Sequence, residues 1–197
     1  MEVALLYSGG KDSTLAALLL DSFYDVRLVT ATFGLTDDWK YASAAAAQVG
    51  YPFKQIQLDR AVAETAVEKI LADGYPRQGI QTVHEHTLEV VAQRDIAAVA
   101  DGTRRDDRVP TVPRARAQSI EDRHDVDYVS PLAGFGRGAI DHLVDQRLDV
   151  EVGPSETVPK SDYEVELRTL IAELENPEVV SRVFPDHEQT YVRGILK

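Results

Sequence analysis

Hydrophobic and polar positions along this chain switch repeatedly between a strand period and a helix period. Glu2 to Ser8 carries the apolar run Val3 to Tyr7, the pattern of a buried strand, and stops at Gly9-Gly10. Lys11 to Ser22 then reads as a helix. Val26 to Phe33 is a second β-branched run. An alanine-rich helix follows, which Asp37 or Asp38 can cap and which Gly50-Tyr51-Pro52 ends near Val49. Phe53 to Leu58 alternates with period two, and Asp59 can cap a helix through about Ala72 that Gly74 and Pro76 terminate. Gln78 to Arg94 sets Ile80, Val83, Thr87, Val90 and Val91 on one helical stripe and leads into the short buried strand Ile96 to Ala100. An irregular loop over 103–118 enters a helix near Arg114, and a fifth strand is expected at Asp127 to Ser130. A loop over Pro131 to Gly138, a helix to about Leu148, a polar hairpin or linker over 150–160 and a helix over Asp162 to Leu174 come next. The tail ends in a strand near Tyr191 to Leu196.

Strands alternating with helices predict an α/β fold, a doubly wound parallel sheet of about five strands with helices on both faces. The organisation expected is one α/β domain over 1–150, with 151–197 a C-terminal helical extension packed on the same domain. The longest apolar stretch, Leu15 to Leu20, is far short of the ~18 residues a bilayer demands, and the N-terminus lacks the pattern of a secretory signal. No membrane contact and a cytoplasmic location are therefore expected. The absence of cysteine excludes disulfides, cysteine nucleophiles, thiolate zinc sites and iron–sulfur clusters.

Charge adds two expectations. Acids outnumber bases 33 to 21, for a net charge of −12; 19 of the acids are Asp and only 6 of the bases are Lys. Aspartate enrichment with lysine avoidance predicts a halophilic, haloarchaeal protein, since a large net charge governs solubility and salt response rather than fold. Its melting temperature should rise with molar KCl; a flat or falling curve removes the idea. The second expectation concerns distribution. Residues 103–118 hold Arg104, Arg105, Arg108, Arg114 and Arg116 against Asp106 and Asp107, an island of +3 on a remainder of −15. Arginine forks suit an ATP tail, a polynucleotide backbone or the nearby acids equally well.

The strongest chemical signal is Ser8-Gly9-Gly10-Lys11-Asp12-Ser13, between the first strand and the first helix. Two glycines let the backbone turn tightly and approach a ligand, while helix N-terminal amides and the helix dipole favour an anion. Ser8 and Ser13 can donate to phosphate oxygens, Lys11 adds a point charge, and Asp12 can hold magnesium. The turn is not a Walker A loop, because Asp12 stands where Ser or Thr is required.

Ser8 to Ser13 resembles the SGGxDS signature of the PP-loop ATP pyrophosphatases, the adenine nucleotide alpha-hydrolase-like group of the HUP fold. The likeness spans the order of elements over about 1–150 and rests at residue level on this loop and on Asp101 to Asp107. It implies ATP and Mg2+ as cofactors and an adenylated substrate formed with release of pyrophosphate. Ser8, Gly9, Gly10, Lys11, Asp12 and Ser13 would hold the phosphates, and the end of strand two, around Ala31, Thr32 and Phe33, would meet adenine through its backbone. Gly102, Thr103 and Arg104 would approach ATP after strand four. Lys11, Asp12 and Asp107 are the residues assigned to catalysis, and Asp12, Asp106 and Asp107 those assigned to the metal. The lysine in SGGKDS is most similar to tRNA thiolases and diphthine ligase, which implies modification of tRNA, other RNA or a translation factor. Without cysteine the sulfur or nitrogen donor must come from elsewhere, so the expected partners are tRNA, a donor protein or a second copy of the chain. Rival readings are a nucleotide sensor like the universal stress proteins, an amide-forming small-molecule ligase, and a noncatalytic subunit of a tRNA-modifying complex.

Weaker signals lie outside the motif. His84 and His86, two apart, fall on opposite sides of a helix and do not make a metal pair. Gly134 to Gly138 reads as an anion-accepting turn with Arg137 facing substrate or as an ordinary loop. His187 reads as an acid, base or substrate contact, or as part of a surface tail.

Overall fold

A computed structural model describes residues 1–196. Its centre is a parallel sheet in the order β3-β2-β1-β4-β5, formed by β1 (Glu2–Leu6), β2 (Asp25–Thr32), β3 (Phe53–Gln57), β4 (Ala98–Ala100) and β5 (Asp127–Val129). Val3 aligns with Val26 on one side and Ala98 on the other, so β1 is central and buried on both faces. Its near-continuous apolar run is the pattern such a strand requires. The chain fills one side of β1 with β2 and β3 before crossing to β4 and β5. The order therefore reverses between β1 and β4, where open α/β sheets hold ligands at the carboxyl ends of their strands.

Helices cover both faces, as the alternation predicts. One face packs α1 (Lys11–Leu20), α2 (Trp39–Val49) and α6 (Arg137–Arg147) through Leu15, Ala45, Ile140 and their neighbours. The other packs α3 (Arg60–Asp73), α4 (Arg77–Ala92) and α5 (Arg114–His124) through residues such as Ile70, Leu88 and Ile120. Local stop signals act where the sequence places them. Gly50 and Gly74 take positive φ as left-handed C-caps, and the Asp59 side chain accepts from the Ala61 amide at 2.9 Å to cap α3. Asp38 occupies the N-cap position of α2, yet its side chain makes no cap bond. No described helix is long and apolar enough to cross a membrane.

The segment after 147 differs from a purely helical extension. Leu148–Pro154 forms β6, pairing antiparallel with β7 (Glu188–Ile195), so the expected polar hairpin or linker over 150–160 is half of a two-stranded ribbon. Two helices lie between its strands: α7 (Tyr163–Leu174), and α8 (Pro177–Val183), which the expected tail had left without structure. Asn176, whose side chain accepts from the Val179 amide, and Pro177 in the first turn start α8. Leu167, Leu170, Ile171 and Phe184 enter one core layer, and Leu148, Tyr191 and Val192 the other.

Two contacts tie this segment to the parallel sheet. The Val192 amide donates to the Gly9 carbonyl at 2.9 Å, and the Lys11 amide donates to Thr190 Oγ1 at 3.2 Å. The ribbon thus fixes the Ser8 to Ser13 turn from outside. On the opposite face the buried Glu166 carboxylate of α7 accepts from Thr32 Oγ1, the Phe33 amide and the Leu35 amide, at 2.8 to 2.9 Å. That carboxylate clamps the end of β2.

Candidate functional site

A cavity of about 310 Å³ opens at the carboxyl ends of β1, β2 and β4, at the order reversal. One wall is the Ser8, Asp12 and Ser13 turn; Asp101, Gly102 and Thr103 form a second, and Asp162, Tyr163, His187 and Gln189 close it from the C-terminal segment. A recess of about 100 Å³ sits on the turn itself, between Ser8, Gly10, Lys11 and Ser13 on one side and Lys160, Gln189 and Thr190 on the other.

The turn has the geometry of an anion cradle. Gly9 has φ +82°, and a Cβ there would make only ordinary contacts, 3.5 Å from Ala42, Ala45 and Tyr191, so glycine serves the backbone conformation. Gly10 is the extended N-cap of α1 and supplies no side chain to the first-turn amides. The Gly10 amide reaches Ser8 Oγ at 3.4 Å and the Lys11 amide is taken by Thr190. The amides of Asp12 and Ser13 have no acceptor among the described residues. Two orphan donors at a helix N-terminus attract an anion. The Ser13 hydroxyl donates to the Gly10 carbonyl at 3.2 Å, which leaves Ser8 as the turn's uncommitted hydroxyl donor. Lys11 Nζ lies 2.8 Å from Asp12 Oδ1, and Lys160, 11% exposed, supplies a second ammonium that sequence reasoning missed.

The loop after β4 docks directly on this turn. A Cβ at Gly102 would stand 2.9 Å from Ser13 Cα and N, so Gly102 serves close approach to the turn backbone. Arg104 lies 3.7 Å from Asp12 and from Asp106, and 2.9 Å from Asp107, whose other oxygen accepts from the Arg104 amide at 2.7 Å. Arg104 therefore bridges the two loops. Asp12 and Asp107 face the cavity, whereas Asp106 is exposed and does not line it. Among the described residues no three His, Asp or Glu side chains gather as a metal cluster. Thr32 and Phe33 also lie away from the cavity, committed to Glu166; Thr30 and Ala31 border it instead. Of the expected stretch Ala31 to Phe33, the Glu166 clamp thus leaves Ala31 on the cavity.

The arginine island divides. Arg116 faces Glu85 and Glu89 at 3.5 and 3.4 Å, Arg104 pairs with Asp12 and Asp107, and Arg105, Arg108 and Arg114 are exposed with no ion pair among the described residues. Arg137 pairs with Asp141 at 3.7 Å, beside Lys11 in a groove under the ribbon.

A buried network forms the side of the cavity nearest α4. His84 Nε2 lies 2.8 Å from Asp101 Oδ2, and the Tyr128 hydroxyl donates to the same oxygen at 2.9 Å. The Thr103 amide and hydroxyl donate to Asp101 Oδ1 at 3.0 and 2.6 Å. Burial alone would raise the Asp101 carboxyl, but the hydrogen bonds from His84 and Thr103 outweigh it and hold the group below the usual carboxylate range. A lowered folded-state value means that this carboxylate stabilises the protein above about pH 4 and loses that contribution as pH falls further. Asp101→Asn should therefore melt below wild type at neutral pH, with the gap narrowing below about pH 4. A gap that stays constant down to pH 2.5 contradicts the assignment. Burial likewise pushes up the Tyr163 and Tyr128 hydroxyls, keeping them protonated donors. The signal for His84 was available in the sequence. It stands four residues after Ile80 and three before Thr87, on the inward stripe, while His86 does not line the cavity.

Comparison with known proteins places this architecture. An uncharacterised protein of Methanocaldococcus jannaschii is 41% identical over 199 residues, covering 100% of this chain and 98% of that protein. A crystal structure from the same organism, described as the predicted subunit of tRNA methyltransferase, matches with a TM-score of 0.91 at 41% identity, over 100% of this chain and 98% of that one. The model of the family of unknown function DUF7411 matches residues 1–194. The chain belongs to that family.

Proposed function

We propose that this chain is a PP-loop ATP pyrophosphatase. It binds Mg-ATP on the Ser8 to Ser13 turn, breaks the bond between the α- and β-phosphates, and activates a substrate as its adenylate for tRNA modification. The observation that carries the reading is the open first turn of α1, with two amides lacking acceptors, set between Lys11 and Lys160 at the sheet's order reversal. A polyphosphate matches that arrangement in charge and donor supply. The cavity beyond it, with Leu6, Val29 and Ile80 among its walls and the edge of Thr30 and Ala31 beside them, has the apolar slot and polar rim a purine requires.

Each residue has a share of the work. The amides of Asp12 and Ser13 and the Ser8 hydroxyl would bind phosphate oxygens. Lys11 and Lys160 would oppose the charge that grows on departing pyrophosphate. Arg104 holds Asp12 and Asp107 in place across the two loops. Magnesium fits this donor set, because it takes one or two carboxylates and completes its shell with phosphate oxygens and water; Asp12 and Asp107 would hold it. It would supply charge neutralisation of the phosphates.

The connection to tRNA rests on the relative described as a predicted subunit of a tRNA methyltransferase. Exposed Arg105, Arg108 and Arg114 are the cations that would meet a phosphate backbone, and the acidic remainder calls for a partner subunit to widen that face. A donor of sulfur or nitrogen is also assigned to the partner, since the chain has no cysteine. Incubation with Mg2+ and α-labelled ATP tests the reading: labelled AMP is expected, and ADP as sole product contradicts it.

A further inference from the structure

The phosphate site does not use the buried histidine beside it. His84 is 4% exposed and its two nitrogens have different neighbours. Nε2 faces Asp101 Oδ2 at 2.8 Å, and Nδ1 faces the Tyr163 hydroxyl at 3.4 Å. Asp101 is 1% exposed and receives donors from His84, Tyr128 and Thr103 on its two oxygens, so it cannot turn away. A carboxylate so held keeps the proton of a neutral imidazole on Nε2 and leaves Nδ1 as acceptor. In that tautomer Nδ1 accepts from the hydroxyl of Tyr163, a half-buried residue of the cavity wall whose hydroxyl also neighbours Thr87. Asp101 also adjoins Gly102, which packs against the backbone of Ser13 in the phosphate turn. The titratable groups facing His84 are Asp101 from the loop after β4, Tyr128 from β5 acting on Asp101, and Tyr163 from α7, beside which stands Asp162.

We propose that Tyr163, His84 and Asp101 form a proton relay that ends in the cavity at the Tyr163 hydroxyl and accepts the proton lost by the nucleophile attacking the α-phosphorus. The relay rests on the adenylating reading above and adds a base to it. With water as the nucleophile, its oxygen bonds to the α-phosphorus. The bond from that phosphorus to the α–β bridging oxygen breaks, and pyrophosphate leaves with the electron pair. The water proton passes to the Tyr163 oxygen as the tyrosine's own proton passes to His84 Nδ1, and Nε2–H stays with Asp101. Tyr163 is the catalytic residue, His84 stores the proton through it, and Asp101 is a positioning residue.

The test uses the full chain with Mg2+ and α-labelled ATP, reading AMP formation against pH, and α,β-methylene ATP to read binding without turnover. Tyr163→Phe removes one hydroxyl at almost unchanged volume. It is expected to lower kcat about 100-fold while the dissociation constant of α,β-methylene ATP stays within about threefold. His84→Gln should fall as far, and the double variant no more than about threefold further, because the two act as one unit. Wild type should lose rate on the acid side with the uptake of one proton, a limb that both variants lack. Ring-nitrogen NMR of 15N-histidine protein gives a readout independent of turnover: the Nε2–H tautomer is expected at His84 in wild type. Tyr163→Phe turning over within threefold of wild type, with the acid limb retained, overturns the relay and leaves adenylation standing. The Nδ1–H tautomer at His84 also overturns it. Wild type that binds α,β-methylene ATP but forms no AMP overturns both.

Discussion

Replacing Asp12 with asparagine is expected to lower AMP formation from Mg-ATP by about 10²- to 10³-fold, the loss typical when a charge that stabilises a phosphoryl transition state is removed. The substitution keeps volume and hydrogen-bonding shape and deletes one charge. In the folded protein that charge lies 2.8 Å from Lys11 Nζ and 3.7 Å from Arg104. Both pairs are partly exposed, so their share of stability is small, about 1 kcal/mol or less. Asp12→Asn should therefore melt within a few degrees of wild type. It should still bind α,β-methylene ATP when magnesium is absent, and lose the gain in affinity that magnesium gives wild type. Separating the metal-dependent gain from basal binding assigns the carboxylate to the ion. Turnover at the wild-type rate would remove Asp12 from the chemistry.

The largest effect on stability is expected at Glu166. Its buried carboxylate accepts three hydrogen bonds from the end of β2: the Thr32 hydroxyl, the Phe33 amide and the Leu35 amide. Alanine there leaves these donors without their acceptor and opens a gap between α7 and the sheet. A buried unsatisfied donor costs about 1–3 kcal/mol, so the sum is about 3–5 kcal/mol once partial rescue by water is allowed. For a chain of this size that lowers Tm by about 10 °C. Urea unfolding of Glu166→Ala measures it directly, and a loss under about 1 kcal/mol contradicts the clamp. Ala31 borders the cavity one residue before Thr32, so loosening this corner should also weaken nucleotide binding.

These two residues mark how far the sequence could be read. The turn that carries Asp12 was legible because its signature is local: glycines, a helix start and an acid within six residues mark an open helix N-terminus whatever follows. Strand β1 was legible for a similar reason, since burial on both faces writes itself as a continuous apolar run, Val3 to Leu6. Glu166 was not legible. Its partners lie more than 130 residues away, and along α7 it reads as one more acid on a solvated helix face. The ribbon was not legible because β6 carries Asp149 and Glu151 between its apolar residues and finds its mate in β7 only after two intervening helices. With it went Gln189 and Thr190, which reach the Ser8 to Ser13 turn because β7 docks on Gly9. His187, weighed as a site residue or a surface tail, lies on the cavity wall. His84 stood on a legible stripe, but its pairing with Asp101 depends on how α4 crosses the end of β4. Of the stretch Ala31 to Phe33 expected at the site, only Ala31 reaches the cavity, for the same long-range reason. Local chemistry was readable, and closure of the cavity by distant segments was not.

The claim that this turn directs ATP cleavage between the α- and β-phosphates is tested most directly by product analysis. Purified protein is incubated with Mg2+ and α-labelled ATP, the products are separated, and pyrophosphate is measured in parallel. Labelled AMP and pyrophosphate in equal amounts, both abolished in Asp12→Asn, are the predicted result; labelled ADP with inorganic phosphate, or no cleavage by protein that binds the nucleotide, would contradict it.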